Sequence, residues 1–269
     1  MASTSRNSAP IGVFDSGIGG LTVVTALTHE LPAESLIYLG DTARVPYGTK
    51  SPDVIRRYAL RCSQFLVEQG AKLVVIACNT ASAAAADIVR KTLAMPVVGV
   101  IEPGAELAAR TTKNGRVGVI GTESTIASGA YQLALAAINP ALEVFAKSCP
   151  LFVPLAEEGY AEHAATRLLA EEYLRPLVAD GIDTLVLGCT HYPLLSSVIA
   201  EVCGSGVAVI NSAEAVARAV GAAVRSSGLE TRVNNAGRKF YATDVSARVS
   251  RVGSAFLGSP IGTVELVDL

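Results

Sequence analysis

Short apolar runs recur along this chain, each followed by a polar or glycine-rich turn and then by a longer amphipathic stretch. No other feature narrows the possible folds as much. The runs at 11–14, 36–39, 73–77 and 97–100 are too short for helices and show no polar alternation. Strands buried on both faces of a parallel sheet read this way. Between them, 21–31, 52–69 and 81–94 read as helices. Ser51 before Pro52 predicts an N-cap followed by proline at the first helical position. The pattern then restarts. Strands are expected at 117–120, 142–145, 184–187, 207–210 and 239–242, and helices at 124–137, 161–179, 194–202, 213–225 (after a Ser212 cap) and 247–257. Strand alternating with helix implies an α/β chain whose parallel sheets are covered on both faces.

The two series echo each other. KLVVIACNTAS at 72–82 and DTLVLGCTHYP at 183–193 are each an apolar strand, a cysteine, a threonine within two residues and a helix. RVGVIGT at 116–122 likewise echoes IGVFDS at 11–16. Chance likeness between buried strands explains the apolar parts, but less readily a cysteine at the same place in both.

The chain of 269 residues suffices for two domains, and half of it is hydrophobic. A net charge of −2 gives no electrostatic case for nucleic acid as the main partner. The N-terminal stretch 1–10 lacks the apolar core of a signal peptide, and the most apolar windows, 73–89 and 207–224, are broken by polar residues. A cytoplasmic protein with no membrane association is expected. Five cysteines, none in a C-x-x-C pair, read as free thiols in that setting.

In open α/β sheets, ligands sit beyond the C-terminal ends of the strands. Asp15 and Ser16, residues 41–48, Cys78 with Asn79 and Thr80, Thr122, Glu157 (read as lying in the loop after Val153), and Cys189 with Thr190 and His191 all fall there. Arg44 is the one lysine or arginine among them. Cys78 and Cys189 precede helices, whose unsatisfied N–H groups and positive dipole ends should lower a thiol pKa. Placement alone leaves this reading and the buried-hydrophobe reading open. Cys62 and Cys203 fall inside or at the end of helices and read as packing residues. Cys149, before Pro150, is left open.

Asp15 in FDSGIGG could be a turn carboxylate or N-cap. A dinucleotide fingerprint fails because Thr22 stands in place of the third glycine, and no Walker lysine is present after it. Asp15 is better read as a proton acceptor beside a thiol. His191, one of three histidines, sits at a helix start, where its neutral form should be favoured, ready to give or take a proton. Metal spacing is absent, so no metal site is expected. With no lysine placed for a Schiff base and no phosphate loop, no cofactor is expected either.

Five segments now carry a resemblance: FDSGIGGLTV (14–23), YLGDTARVPYG (38–48), ACNTAS (77–82), CPLFVPLAEEG (149–159) and LGCTHYPLL (187–195). In this order they resemble the glutamate racemases of the aspartate/glutamate racemase superfamily. The resemblance implies two similar doubly wound α/β domains facing across a central cleft, one formed by 1–98 with 210–269 and the other by 99–209. It implies cofactor-independent interconversion of L- and D-glutamate, supplying D-glutamate for peptidoglycan precursors, and a homodimer. Cys78 would take the proton from D-glutamate, assisted by Asp15. Cys189 would take it from L-glutamate, assisted by His191 and Glu157; Glu157 is preferred to Glu158 because it directly succeeds the PLA triplet. Asp15, Ser16, Tyr47, Gly48, Asn79, Thr80, Thr122, Thr190 and His191 would hold the substrate. The alternatives are an aspartate or other superfamily racemase, a two-lobed binding protein that would not need a thiol on each side, and a thiol redox enzyme, which would usually place a resolving cysteine close by.

Overall fold

The computed structural model describes residues 7–231 and 236–269. Most of the polar N-terminal stretch, residues 1–6, and residues 232–235 lie outside the described residues.

Two sheets are formed, and every strand pair in both is parallel. The first contains β1 (Ile11–Asp15), β2 (Leu36–Gly40), β3 (Leu73–Ile76), β4 (Val97–Gly99), β9 (Arg238–Ala242) and β10 (Val264–Leu266), in the order β10-β9-β2-β1-β3-β4. The second contains β5 (Arg116–Gly121), β6 (Glu143–Ser148), β7 (Thr184–Gly188) and β8 (Ala208–Ile210), in the order β6-β5-β7-β8. The order 2-1-3-4 is thus repeated as 6-5-7-8. The registers agree as well: Phe14 pairs with Ile76, and Ile120 with Leu187. Each thiol lies two residues past its paired position, so the sequence echo corresponds to a structural repeat.

Successive residues of a strand face opposite sides of a sheet, and the core divides accordingly. In β1, Ile11 and Val13 pack with α1 (Leu21–Glu30), α10 (Ser212–Ser226) and α11 (Ala247–Leu257). Phe14 faces the other way, onto α2 (Pro52–Glu68) and α3 (Asn79–Thr92). The second sheet repeats this. Val117, Val119 and Val186 pack with α4 (Ile101–Thr111) and with α6 (Ala130–Ile138), which comes after the short α5 (Glu123–Ala127). Ile120, Leu185 and Leu187 pack with α7 (Phe152–Glu157), α8 (Ala164–Ala179) and α9 (Ser196–Cys203). Fully buried side chains such as Phe14, Leu39 and Leu73 each contribute about 1.5–3 kcal/mol. These are two doubly wound α/β units, and they meet at the C-terminal ends of their central strands.

Several local expectations are corrected. The 124–137 helix is broken, because Gly129 takes a left-handed φ of 65° between α5 and α6. The helix expected to start at 81 begins at Asn79, with Cys78 itself as N-cap. Asn211, not Ser212, caps α10, its side chain accepting from the Ala213 N–H. Ser51 occupies the N-cap position of α2 but makes no side-chain cap bond. Helix α4 was not expected; no element was assigned to 101–111. Proline near a helix start forfeits only an N–H that has no intrahelical partner. Gly104 lets the helix approach the Tyr131 hydroxyl, 3.2 Å from where a Cβ would stand. The edge strand β10 was not expected either. Among the described residues no helix is long and apolar enough to cross a membrane.

Candidate active site

The strand ends of the two units face each other around a small chamber of about 40 Å³. Ser16, Tyr47, Gly48, Cys78, Asn79, Thr80, Thr122, Cys189, Thr190 and His191 line it. Asp15 and Glu157 stand behind these walls. Val45, Pro46 and Val153 also line the chamber; all three lie within the segments that carry the resemblance but were not singled out as site residues. A wider surface groove, about 700 Å³ beside Arg56, Lys91 and Leu133, includes neither thiol in its lining.

On the Cys78 side, the Ala81 N–H donates to Sγ at 3.4 Å, and Ser16 Oγ lies 3.3 Å from Sγ. Asp15, fully buried at the end of β1, accepts from the Gly17 N–H at 2.9 Å; its Oδ1 has no protein partner. Burial pushes the Asp15 carboxyl above its ordinary range, partly offset by the charge of His191 and by nearby backbone N–H groups. The expectation that the helix start would lower the Cys78 pKa is overturned. Burial first, and the Asp15 charge second, push this thiol up to about 12, outweighing the bonds from Ser16 and Ala81. Desolvation of a thiolate in a nearly closed chamber exceeds what one helix terminus returns. Cys78 is therefore held as a proton-bearing thiol.

On the Cys189 side, Sγ lies 3.9 Å from His191 Nδ1. His191 Nε2 meets Glu157 Oε1 at 2.8 Å, and Glu157 Oε2 accepts from Arg248 Nη2 at 2.8 Å. Glu157 ends the short helix α7 rather than lying in a loop, and Glu158 turns away to Arg248 and Arg251. His191 does not favour its neutral form. Burial lowers its pKa, but the bonds to Cys189 and Glu157, with the charges of Cys189 and Asp15, raise it to about 10. The ring is held as an imidazolium, with the Glu157 carboxylate on its Nε2 side. Glu157 is lowered: burial acts upward, but the His191 and Arg248 contacts prevail. The Phe256 ring stands edge-on to His191 at 5.2 Å.

The remaining wall is polar and largely pre-paired. Thr80, Thr122 and Thr125 form a triangle of hydroxyl bonds, 2.9, 3.1 and 3.0 Å on a side, joining the two units. The Tyr131 hydroxyl donates to Asn79 Oδ1 at 2.8 Å, fixing that amide. The Tyr47 hydroxyl donates to the fully buried Asp41 carboxylate. Gly48 approaches Thr122 so closely that a Cβ would stand 2.8 Å from its Cβ. Cys62 and Cys203 are buried packing residues, with burial raising them to about 12 and 11. Cys149, left open by the sequence, is fully buried beside Phe152 and Tyr192, and burial raises its pKa. Tyr131, Arg248 and Phe256 were not found by sequence reasoning; their parts depend on partners distant in the chain.

Comparison with known proteins adds independent findings. The family model described as "Asp/Glu/Hydantoin racemase" matches residues 11–220. The chain is 54% identical over 260 residues to the glutamate racemase of Geobacter metallireducens, covering 96% of each. It is 49% identical to that of Chlorobaculum tepidum, covering 98% of this chain and 97% of the relative. Among solved structures it is similar to the Francisella tularensis glutamate racemase in complex with D-glutamate, with a TM-score of 0.92 and 40% identity, covering 97% of this chain and 98% of that one.

Proposed function

The chain belongs to the Asp/Glu/hydantoin racemase family, and from that premise we propose that it interconverts L- and D-glutamate by a two-thiol proton transfer that uses no cofactor. The observation that carries the mechanism is the paired placement of Cys78 and Cys189, each just past the third strand of its unit and both lining one chamber.

An amino-acid α-proton is very weakly acidic, and inversion needs removal on one face and delivery on the other. Two acid/base groups on opposite faces achieve this with the substrate held still. In the L-to-D direction the Cys189 thiolate, beside the His191 imidazolium, removes the proton. The Cys78 thiol, which burial keeps protonated, delivers one to the opposite face. The two then stand with roles exchanged, ready for the reverse reaction. Asp15 assists Cys78, and His191 with Glu157 assists Cys189. Ser16, Tyr47, Gly48, Asn79, Thr80, Thr122 and Thr190 orient the substrate through hydroxyls, amides and backbone N–H groups. Such donors bind carboxylates without lysine or arginine.

The chamber is small, about 40 Å³, and is walled by strand ends of both units. In this reading substrate enters as the two units part, and closure expels water from around the thiols. The moving bodies in this reading are residues 1–98 with 210–269, and 99–209. The enzyme acts in the cytoplasm as a homodimer, supplying D-glutamate for peptidoglycan precursors; sedimentation tests the dimer.

The mechanism is tested with Cys78→Ala and Cys189→Ala. Each abolishes racemisation. With 3-chloroglutamate, elimination needs abstraction alone, so Cys189→Ala keeps activity on the D-enantiomer and Cys78→Ala on the L-enantiomer. Loss of both enantiomers in both variants, or substantial racemisation by either variant, overturns the one-thiol-per-face assignment.

A further inference from the structure

We propose that Arg248 is a positioning residue for the Cys189 side of the reaction, holding Glu157 so that its second oxygen fixes the His191 ring against the thiol. The inference rests on the proposed assignment of one thiol to each face of the α-carbon.

Glu157 uses both oxygens, Oε1 at 2.8 Å from His191 Nε2 and Oε2 at 2.8 Å from Arg248 Nη2. A carboxylate gripped at both ends cannot rotate about its terminal torsion. The ring it holds keeps Nδ1 aimed at Cys189 Sγ, 3.9 Å away. Arg248 is itself held, because its other terminal nitrogen lies 2.9 Å from Glu158 Oε1. The planar guanidinium fork suits such a two-carboxylate grip, which a lysine point charge meets less well.

The position of Arg248 in the fold adds a second argument. Arg248 opens α11, which packs on the first sheet, whereas Glu157 and His191 belong to the second unit. The same helix presents Phe256 edge-on to the His191 ring. One helix therefore touches the relay twice from across the cleft, through an apolar edge and, by way of Glu157, through a charge. The relay on the Cys189 side is complete only when the two units are together. A competing description is an ordinary surface ion pair, since the Arg248 side chain is 47% exposed. Such pairs contribute little to stability and would not favour one enantiomer.

Racemisation alone cannot separate these descriptions. The equilibrium constant between enantiomers is unity, so kcat/KM in the two directions falls together whichever side is damaged. Elimination from 3-chloroglutamate does separate them. The thiolate takes the α-proton, the C–H electron pair forms the Cα=Cβ bond, and chloride leaves with the C–Cl pair. The enamine then hydrolyses to 2-oxoglutarate and ammonium, which are measured.

Arg248→Met lowers elimination from the L-enantiomer on the order of tenfold, as expected when a charge-assisted partner is removed, and leaves the D-enantiomer within about twofold. Arg248→Lys recovers part of the L-specific loss. Arg251→Met, on the same helix, leaves both near wild type. Arg248→Gln serves the same test should the Met variant fail to fold. Equal losses with both enantiomers, or no loss with either, overturn the inference. The two readings fail differently. If the cysteine variants show no enantiomer preference, the assignment of thiols to faces falls. If they do and Arg248→Met lowers both enantiomers alike, only the inference about Arg248 falls.

Discussion

Gly19 and Gly20 are neighbours in one loop, yet a methyl group on each should damage different properties. A Cβ on Gly19 would meet the Thr190 hydroxyl and stand 2.7 Å from His191 Nδ1 and 2.9 Å from its Cε1, all in the opposite unit. Ordinary contact begins near 3.4 Å, so the ring must retreat by roughly 0.7 Å. That moves Nδ1 relative to Cys189 Sγ and strains the Glu157 bond. A misplacement of 1 Å costs about a hundredfold in rate, so Gly19→Ala should lower kcat/KM by about 10–100-fold, or roughly 1.4–2.7 kcal/mol of transition-state stabilisation. Folding should be spared. Gly19 has no positive φ, its clash arises only when the units close, and Gly→Ala otherwise stabilises by about 0.4–1 kcal/mol through the unfolded chain. A Cβ on Gly20 instead meets the Asp15 and Ala77 Cβ atoms at 2.6 and 2.9 Å, inside one unit. These atoms are anchored to strands, so Gly20→Ala should cost about 1–3 kcal/mol of stability by overpacking, lowering Tm by roughly 2–10 °C. The assays are polarimetric racemisation and thermal melting of both variants. Gly19→Ala with kcat/KM within about threefold of wild type, or melting lower than Gly20→Ala, would refute cross-cleft contact as the reason for this glycine.

Three further outcomes are expected. His191 has a folded pKa near 10 against an ordinary 6.5, so its contribution to stability is fully present below 6.5 and is lost as pH rises through 10; the Tm advantage of wild type over His191→Asn should therefore shrink between pH 6.5 and 10, and a constant difference would contradict the imidazolium assignment. Lys72, fully buried, donates to the Asn7 and Leu229 carbonyls and to Glu34, so Lys72→Met strands a buried carboxylate and should cost about 3–5 kcal/mol. Chemical denaturation should show that loss and its partial recovery in Lys72→Met/Glu34→Gln; no recovery would mean the ion pair is not its source. Tyr131→Phe removes the donor that fixes Asn79 and should weaken substrate binding by about 0.5–1.5 kcal/mol, seen as a raised KM with a smaller change in kcat; an unchanged KM would show that Asn79 needs no such support.

The amino-acid sequence by itself determined every described strand but the edge strand β10, together with the parallel sheets, the repeat and the positions of both thiols. These depend on local periodicity and on the residues immediately C-terminal to each strand, and both are written in adjacent positions of the chain. KLVVIACNTAS and DTLVLGCTHYP show this directly: β3 with Cys78, and β7 with Cys189, fall within a residue or two of where the pattern puts them. Local reading failed where short-range signals compete. Pro103 and Gly104 lie in the first turn of a helix that no local signal announced, and Asn211 and Ser212 are both good caps, of which the first makes the bond. Only the tertiary structure decided the protonation states. A helix start argues for a lowered Cys78 pKa, and a lone histidine at a helix start argues for neutrality. Burial, with the Asp15 charge, raises the Cys78 thiol, whereas at His191 burial favours neutrality and is outweighed by the bonds to Cys189 and Glu157 and by nearby charge; burial, Glu157 and Asp15 reach these groups only in the assembled chamber. The same holds for Arg248, 91 residues from Glu157 on the solvent-facing side of an amphipathic helix. Its role exists only because two separately wound units bring their strand ends together.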